Sequence, residues 1–179
     1  MNDTEDLFVK EVTPIYKGPE LVISGGQTGA DFGGLLAARE CGIATGGWAP
    51  RGYRTENGVN YTLKEYGLKE HTSKAYPPRT EDNVKWGDVT LLLRDDIGSS
   101  GSKLTIKLCE KHGKHILVPT EGGTIGLITM FLATHKPKVL NIAGNRESLS
   151  PGMTKATFNV LVEVFKGLRS EELPGETNE

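Results

Sequence analysis

Ser24-Gly25-Gly26-Gln27-Thr28-Gly29-Ala30-Asp31-Phe32-Gly33 decides how this chain is read. Before it, Glu20-Leu21-Val22-Ile23 is a short apolar run with the character of a buried strand; after it, Phe32, Leu35 and Leu36 are spaced for one face of a helix. A glycine-rich turn therefore joins a strand to a helix start. Lacking Cβ atoms, such a turn lets a ligand approach the backbone, and the first N–H groups of the helix, at its positive dipole end, favour an anion. The stretch predicts a phosphate cradle. The plainer alternative is that Gly25, Gly26 and Gly29 only make a tight strand-to-helix turn.

Two familiar cradles do not match. A dinucleotide fingerprint, Gly-x-Gly-x-x-Gly, would need glycine where Ser24 stands, and the acidic residue expected about 20 positions on is replaced by Gly46-Gly47-Trp48. A Walker loop would need Gly-Lys-Ser/Thr where Gly33-Gly34-Leu35 stands. Neither an NAD enzyme nor an ordinary ATPase is indicated.

Working outward, the chain alternates. Gly42 to Trp48 falls where a second strand belongs, and Tyr76 to Trp86 suits a helix entered through Pro77-Pro78. Asp88-Val89-Thr90-Leu91-Leu92-Leu93 has the near-continuous apolar pattern of a central strand covered on both faces. His115 to Pro119 and Lys138 to Ile142 predict two more strands. Helices are expected over Ile125 to Thr134 and from Ser150-Pro151, as N-cap and first helical residue, to about Leu168. This predicts an α/β fold: three-layer and Rossmann-like, a mostly parallel sheet of at least five strands with helices on both faces. Residues 1–19 are read as a polar lead-in with an apolar cluster at Leu7, Phe8 and Val9, residues 20–168 as the domain, and 169–179 as a flexible tail.

In such sheets ligands sit beyond the carboxyl ends of the strands. That rim receives three loops rich in glycine and hydroxyl groups, at 24–31, 98–102 and 143–150. Gly25, Gly26, Gln27, Thr28, Gly29, Ser99, Ser100, Gly101 and Ser102 are the candidate N–H and O–H donors to an anion, with Asn145, Arg146 and Ser148 beside them. Arg51, in the long connection Ala49 to Tyr66, is a further anion ligand or a solvated surface charge. Asp31 is read as a carboxylate complementing the helix dipole, a hydrogen-bond partner for a ligand, or a weak catalytic candidate, in that order. Glu147 meets a ligand's polar edge, pairs with Arg146, or is a second weak catalytic candidate.

Composition narrows the partners. With a formal net charge of −2 and 25% charged residues, nothing points to nucleic acid or an anionic membrane. A small anionic ligand is expected instead. Cys41 and Cys109 are far apart, and His71, His112, His115 and His135 are scattered, so no metal site is expected. The acidic start lacks the regions of a signal peptide and no apolar run approaches membrane-spanning length, which predicts a cytoplasmic protein. The 125–134 helix is apolar nearly all round, so it is either deep in the domain or covered by another subunit; of the two, contact within a homo-oligomer is expected.

Four blocks carry a family resemblance: Ser24 to Asp31; Gly46-Gly47-Trp48-Ala49-Pro50-Arg51-Gly52; Arg79-Thr80 with Asn83-Val84 and Asp88; and Leu140 to Ser148. In this order, over about residues 20–166, they resemble the molybdenum carrier family. That family is similar to a wider group of Rossmann-like nucleotide-binding proteins that includes the lysine decarboxylase-like enzymes. The resemblance implies a protein that binds and shields molybdenum cofactor, a pterin bearing a phosphate, a dithiolene and an oxo-metal, and that assembles as a homo-oligomer, a dimer or tetramer. Ala49 stands where the family usually has cysteine, so no protein thiolate to molybdenum is implied. The alternative is a nucleotide-derivative binding protein or hydrolase of the same group, like its phosphoribohydrolases. Pro119-Thr120-Glu121-Gly122-Gly123-Thr124 lacks the spacing of their Pro-Gly-Gly-x-Gly-Thr signature. A free nucleotide or oxyanion is the other expected ligand.

Overall fold

The computed structural model describes residues 15–94, 98–119 and 124–170. The Leu7-Phe8-Val9 cluster and most of the 169–179 tail lie outside the described residues.

Among the described residues six parallel strands make the sheet: β1 Leu21–Ser24, β2 Ala44–Ala49, β5 Leu68–Glu70, β6 Val89–Leu93, β7 His115–Leu117 and β8 Val139–Gly144, in the spatial order β5-β2-β1-β8-β6-β7. Two-residue strands β3 Arg54–Thr55 and β4 Gly58–Val59 form a separate antiparallel hairpin. Among the described residues five α-helices follow the strands: α1 Ala30–Glu40, α2 Tyr76–Trp86, α3 Ser100–Lys111, α4 Thr124–His135 and α5 Met153–Ser170. Alternation along β6 and β8 divides them between two faces. Val89, Leu91, Leu93, Leu140 and Ile142 pack with α1, α4 and α5, while Val84, Leu108 and Cys109 of α2 and α3 form a cluster opposite. The expected three-layer α/β architecture is the one observed.

β8 is last in sequence yet lies between β1 and β6, in register with both: Leu140 sits opposite Val22 on one side and Val89 on the other. Counted from β8, the strands run outward in two directions, β1-β2-β5 one way and β6-β7 the other. The order therefore reverses at the β8–β6 boundary. Helix α1 can lie close to β8 because Gly34 offers no side chain: a Cβ there would stand 2.8 Å from Ile142.

Several expectations change in detail. Strand β5 was not predicted, because Leu68-Lys69-Glu70 is a short edge strand that buries one side chain and shows no readable alternation. Ser150-Pro151 does not start the last helix; residues 150–152 stay in a turn and α5 begins at Met153, for a reason given below. Ser100 to Ser102 are the first turn of α3 rather than a loop, with Ser99 as the N-cap whose Oγ accepts the Ser102 N–H at 3.2 Å. On α4 only Ile128 and Leu132 are fully buried, and Ile125 and Met130 are 39% and 62% exposed. No helix among the described residues is long and apolar enough to cross a membrane.

Candidate functional site

Where the strand order reverses, a cavity of about 390 Å³ opens beyond the carboxyl ends of the strands. Four segments wall it: Gln27 and Asp31 after β1; Tyr76, Arg79 and Thr80 on α2; the N-cap Ser99 with Ser100, Gly101 and Thr105 of α3; and Ala143 and Gly144 at the end of β8 with Asn145 and Arg146 beyond it. The α3 helix presents its N-terminus here, and the N–H groups of its first turn have no intrahelical acceptor.

Asn145 is the most informative residue in that wall. It is 1% exposed, its N–H donates to Leu93 O at 3.0 Å, and its carbonyl accepts from Ala30 N–H at 3.0 Å, yet neither Oδ1 nor Nδ2 of its side chain has a partner. A buried polar group left unmatched costs about 1–3 kcal/mol. Such an amide offers one donor and one acceptor side by side, the complement of a heterocyclic amide edge or a pair of hydroxyls.

Beneath it, Asp31 and Arg79 form a buried ion pair, Nη1 to Oδ2 3.6 Å, with side chains 6% and 12% exposed. Burial pushes the Asp31 carboxyl up; the Arg79 charge and the N–H groups of Gln27 and Gly25 pull it part of the way back. Arg79 Nε has no hydrogen-bond partner.

The glycine turn itself is not a ring of free amides. Gly26 N–H donates to Ser24 Oγ (3.2 Å), Gln27 N–H to Asp31 Oδ2 (3.2 Å), Thr28 N–H to Gln27 Oε1 (3.0 Å), Gly29 N–H to Thr154 Oγ1 (3.0 Å) and Ala30 N–H to Asn145 O (3.0 Å). Its glycines meet protein: a Cβ on Gly26 would strike Leu68 and Leu63, and one on Gly29, where φ is +77°, would strike the Asn145 carbonyl. The tight-turn reading describes these positions, and the cradle's open donors lie instead on α3.

Of the other sequence candidates, Ser99, Ser100, Gly101, Asn145 and Arg146 come together at the cavity, while Ser102 is buried behind its rim, bonded to Ser99. Arg51 lies apart from this cavity on an exposed turn, its N–H donating to Ser73 O. Glu147 faces the start of α5: its carboxylate accepts from Gly152 N–H (2.5 Å), Thr154 N–H (2.9 Å) and Thr154 Oγ1 (2.8 Å). Those bonds, the Thr154 N–H foremost, hold its carboxyl below the usual glutamate value. They also place the helix start at Met153. Thr28 borders a second cavity, of about 400 Å³, between the glycine turn and the hairpin.

Two residues escaped sequence reading. Arg79 stood in one of the family blocks, but nothing in its local pattern separates it from a surface arginine. Glu56 lies at the hairpin tip, and its carboxylate accepts hydrogen bonds from Thr28 and Ser148 and forms an ion pair with Arg146. Burial alone would raise its carboxyl, but the Ser148 and Thr28 bonds and the Arg146 charge outweigh burial and hold it below the ordinary value. Only the turn-forming Asn57-Gly58 hinted at a hairpin there.

No curated protein matches the chain. A crystal structure of "Putative molybdenum carrier protein" from Syntrophus aciditrophicus SB is 37% identical, with a TM-score of 0.74, over 83% of this chain and 95% of that one. The family described as "Circularly permutated YpsA SLOG family" matches residues 22–165. A late strand, β8, set at the centre of the sheet is what permutation of a doubly wound fold produces, and the chain belongs to the circularly permutated YpsA SLOG family.

Proposed function

We propose that this protein is a carrier that holds a small phosphate-bearing ligand of the molybdenum cofactor kind in the cavity at the ends of β6 and β8. The observation that carries the reading is the Asn145 amide, buried with both polar atoms unmatched in a cavity wall that also presents the α3 N-terminus. Once the Asn145 side chain turns toward the cavity, a pterin's amide edge would supply its missing acceptor and donor, and a phosphate would accept from the N–H groups at the start of α3. No cysteine lines the cavity, so the metal's sulfur would come from the cargo itself. The likeness to a protein named as a molybdenum carrier supports the same cargo. A homo-oligomer covering Ile125 and Met130 belongs to this reading.

Asp31 supports a second reading, hydrolysis of a nucleotide derivative, because it is a carboxyl in the cavity wall that burial raises above the ordinary aspartate value. Against it, Asp31 already accepts from Gln27 N–H and pairs with Arg79. Incubation with molybdenum cofactor and with nucleoside monophosphates, followed by thermal melting and mass spectrometry, separates the two. A carrier is stabilised by the cofactor and returns it unchanged, and Asn145→Leu abolishes the stabilisation. Release of base or phosphate, stopped by Asp31→Asn, would replace the carrier by an enzyme. No shift with any of these ligands would end the proposal.

A further inference from the structure

The Glu56 carboxylate is held by three hydrogen-bond donors and one guanidinium that converge on it from two other segments. Its Oε1 accepts from the Thr28 hydroxyl and, at 3.1 Å, from Ser148 N–H; its Oε2 accepts from the Ser148 hydroxyl and lies 3.4 Å from Arg146 Nε. Thr28 follows β1 and Arg146 and Ser148 follow β8, so the donors stand at the carboxyl ends of two adjacent strands of the sheet. Their guest is delivered differently. Glu56 sits on a hairpin of two-residue strands whose Val59 is 55% exposed, tied inward by its own N–H to Gln27 Oε1 at 2.9 Å. The donors thus follow two central strands of the sheet, and the acceptor is carried by a separate two-stranded hairpin. Hydroxyl, amide and guanidinium donors grouped this closely suit an oxyanion.

We propose that Thr28, Arg146 and Ser148 form an oxyanion site for a tetrahedral group of phosphate type, whose place the Glu56 carboxylate holds and from which an incoming anion displaces it. Gln27 lines both cavities, and Thr28 and Arg146 line one each, so the exchange takes place on the partition between them. The site does not depend on the cargo proposed above, and either idea can fail alone.

Glu56→Gln keeps the shape but removes the competing charge. Inorganic phosphate and molybdate are titrated calorimetrically into the wild type, into Glu56→Gln and into Glu56→Gln combined with Ser148→Ala. Affinity for at least one ion rises about tenfold or more in Glu56→Gln, as expected when a competing closed state is weakened, and falls back in the double variant. Gain with phosphate assigns the site to a phosphoryl group, and gain with molybdate to a free metal oxyanion. No gain with either ion, in a variant that melts like the wild type, overturns the proposal. Should Glu56→Gln fold poorly, amide exchange of residues 52–60 in the wild type decides: excess ion accelerates it if Glu56 is displaced, and an unchanged rate refutes displacement.

Discussion

The guanidinium of Arg79 rests on the α-carbon of Gly25, so closely that a methyl group built there would stand 1.4 Å from Nη1. The glycine is thereby the seat of the counter-ion of Asp31. Gly25→Ala should leave the fold intact, because what it strikes is the end of a flexible side chain, but it should expel Arg79 and strand a buried carboxylate. A loss of about 3 kcal/mol is expected in urea unfolding near neutral pH, the size seen when one member of a buried pair is removed. The deficit should shrink in acid as Asp31 takes a proton. It should also shrink when Asp31→Asn is added, and a strictly additive pair would show that Arg79 had kept its place.

Asn145→Leu should make the isolated protein more stable. The substitution removes two buried polar atoms that have no partners and leaves the residue's backbone bonds to Leu93 and Ala30 untouched. A gain of about 1 kcal/mol is expected from the midpoint of chemical denaturation. A residue that lowers stability where it stands is typical of a site kept for binding. A loss of stability instead would mean that the amide is matched in solution.

The two glycine-bearing anion candidates separate cleanly under the same substitution. Gly29→Ala must place a Cβ at positive φ and 2.2 Å from a backbone carbonyl, which cannot retreat as a side chain can. It should cost about 3 kcal/mol or more. At Gly101 nothing lies within 4 Å of an added Cβ, so Gly101→Ala should be neutral or stabilise α3 by up to about 1 kcal/mol. Comparable melting temperatures for the two variants would contradict this difference.

The strand, turn and helix around Ser24 to Gly33 were legible because each rests on local chemistry: an apolar run, glycines, then helical spacing. The parallel sheet followed from alternation alone. The placement of β8 between β1 and β6 did not, since nothing within Val139 to Gly144 says which strands flank it. The same limit divides the site. Asn145, Ser99 and Gly101 could be picked from loops that end strands, whereas the contact of Glu56 with Ser148, 92 positions away, exists only because the chain returns to the same rim. Free amides were expected in the glycine turn because sequence shows donors but not the acceptors, such as Thr154 Oγ1, that tertiary packing brings to them.

Glu147 belongs to the architecture of α5, and its contribution should follow pH in a definite direction. Its carboxylate takes the Gly152 and Thr154 N–H groups at the helix start and so does the work of an N-cap. Its folded-state value lies below the ordinary glutamate value of 4.5, so the native state favours the ionised form. That stabilisation is fully present above the unfolded value and is lost as pH falls through the lower, folded one. Glu147→Gln should therefore be less stable than the wild type by about 1 kcal/mol near neutral pH, since an amide oxygen still accepts but carries no charge toward the helix dipole. As the pH is lowered past 4.5 the wild type should lose stability faster, and the two melting curves should converge. A difference that stays constant through the acid range would show that the cap works by shape alone, and that the charge of Glu147 has no part in starting the helix at Met153.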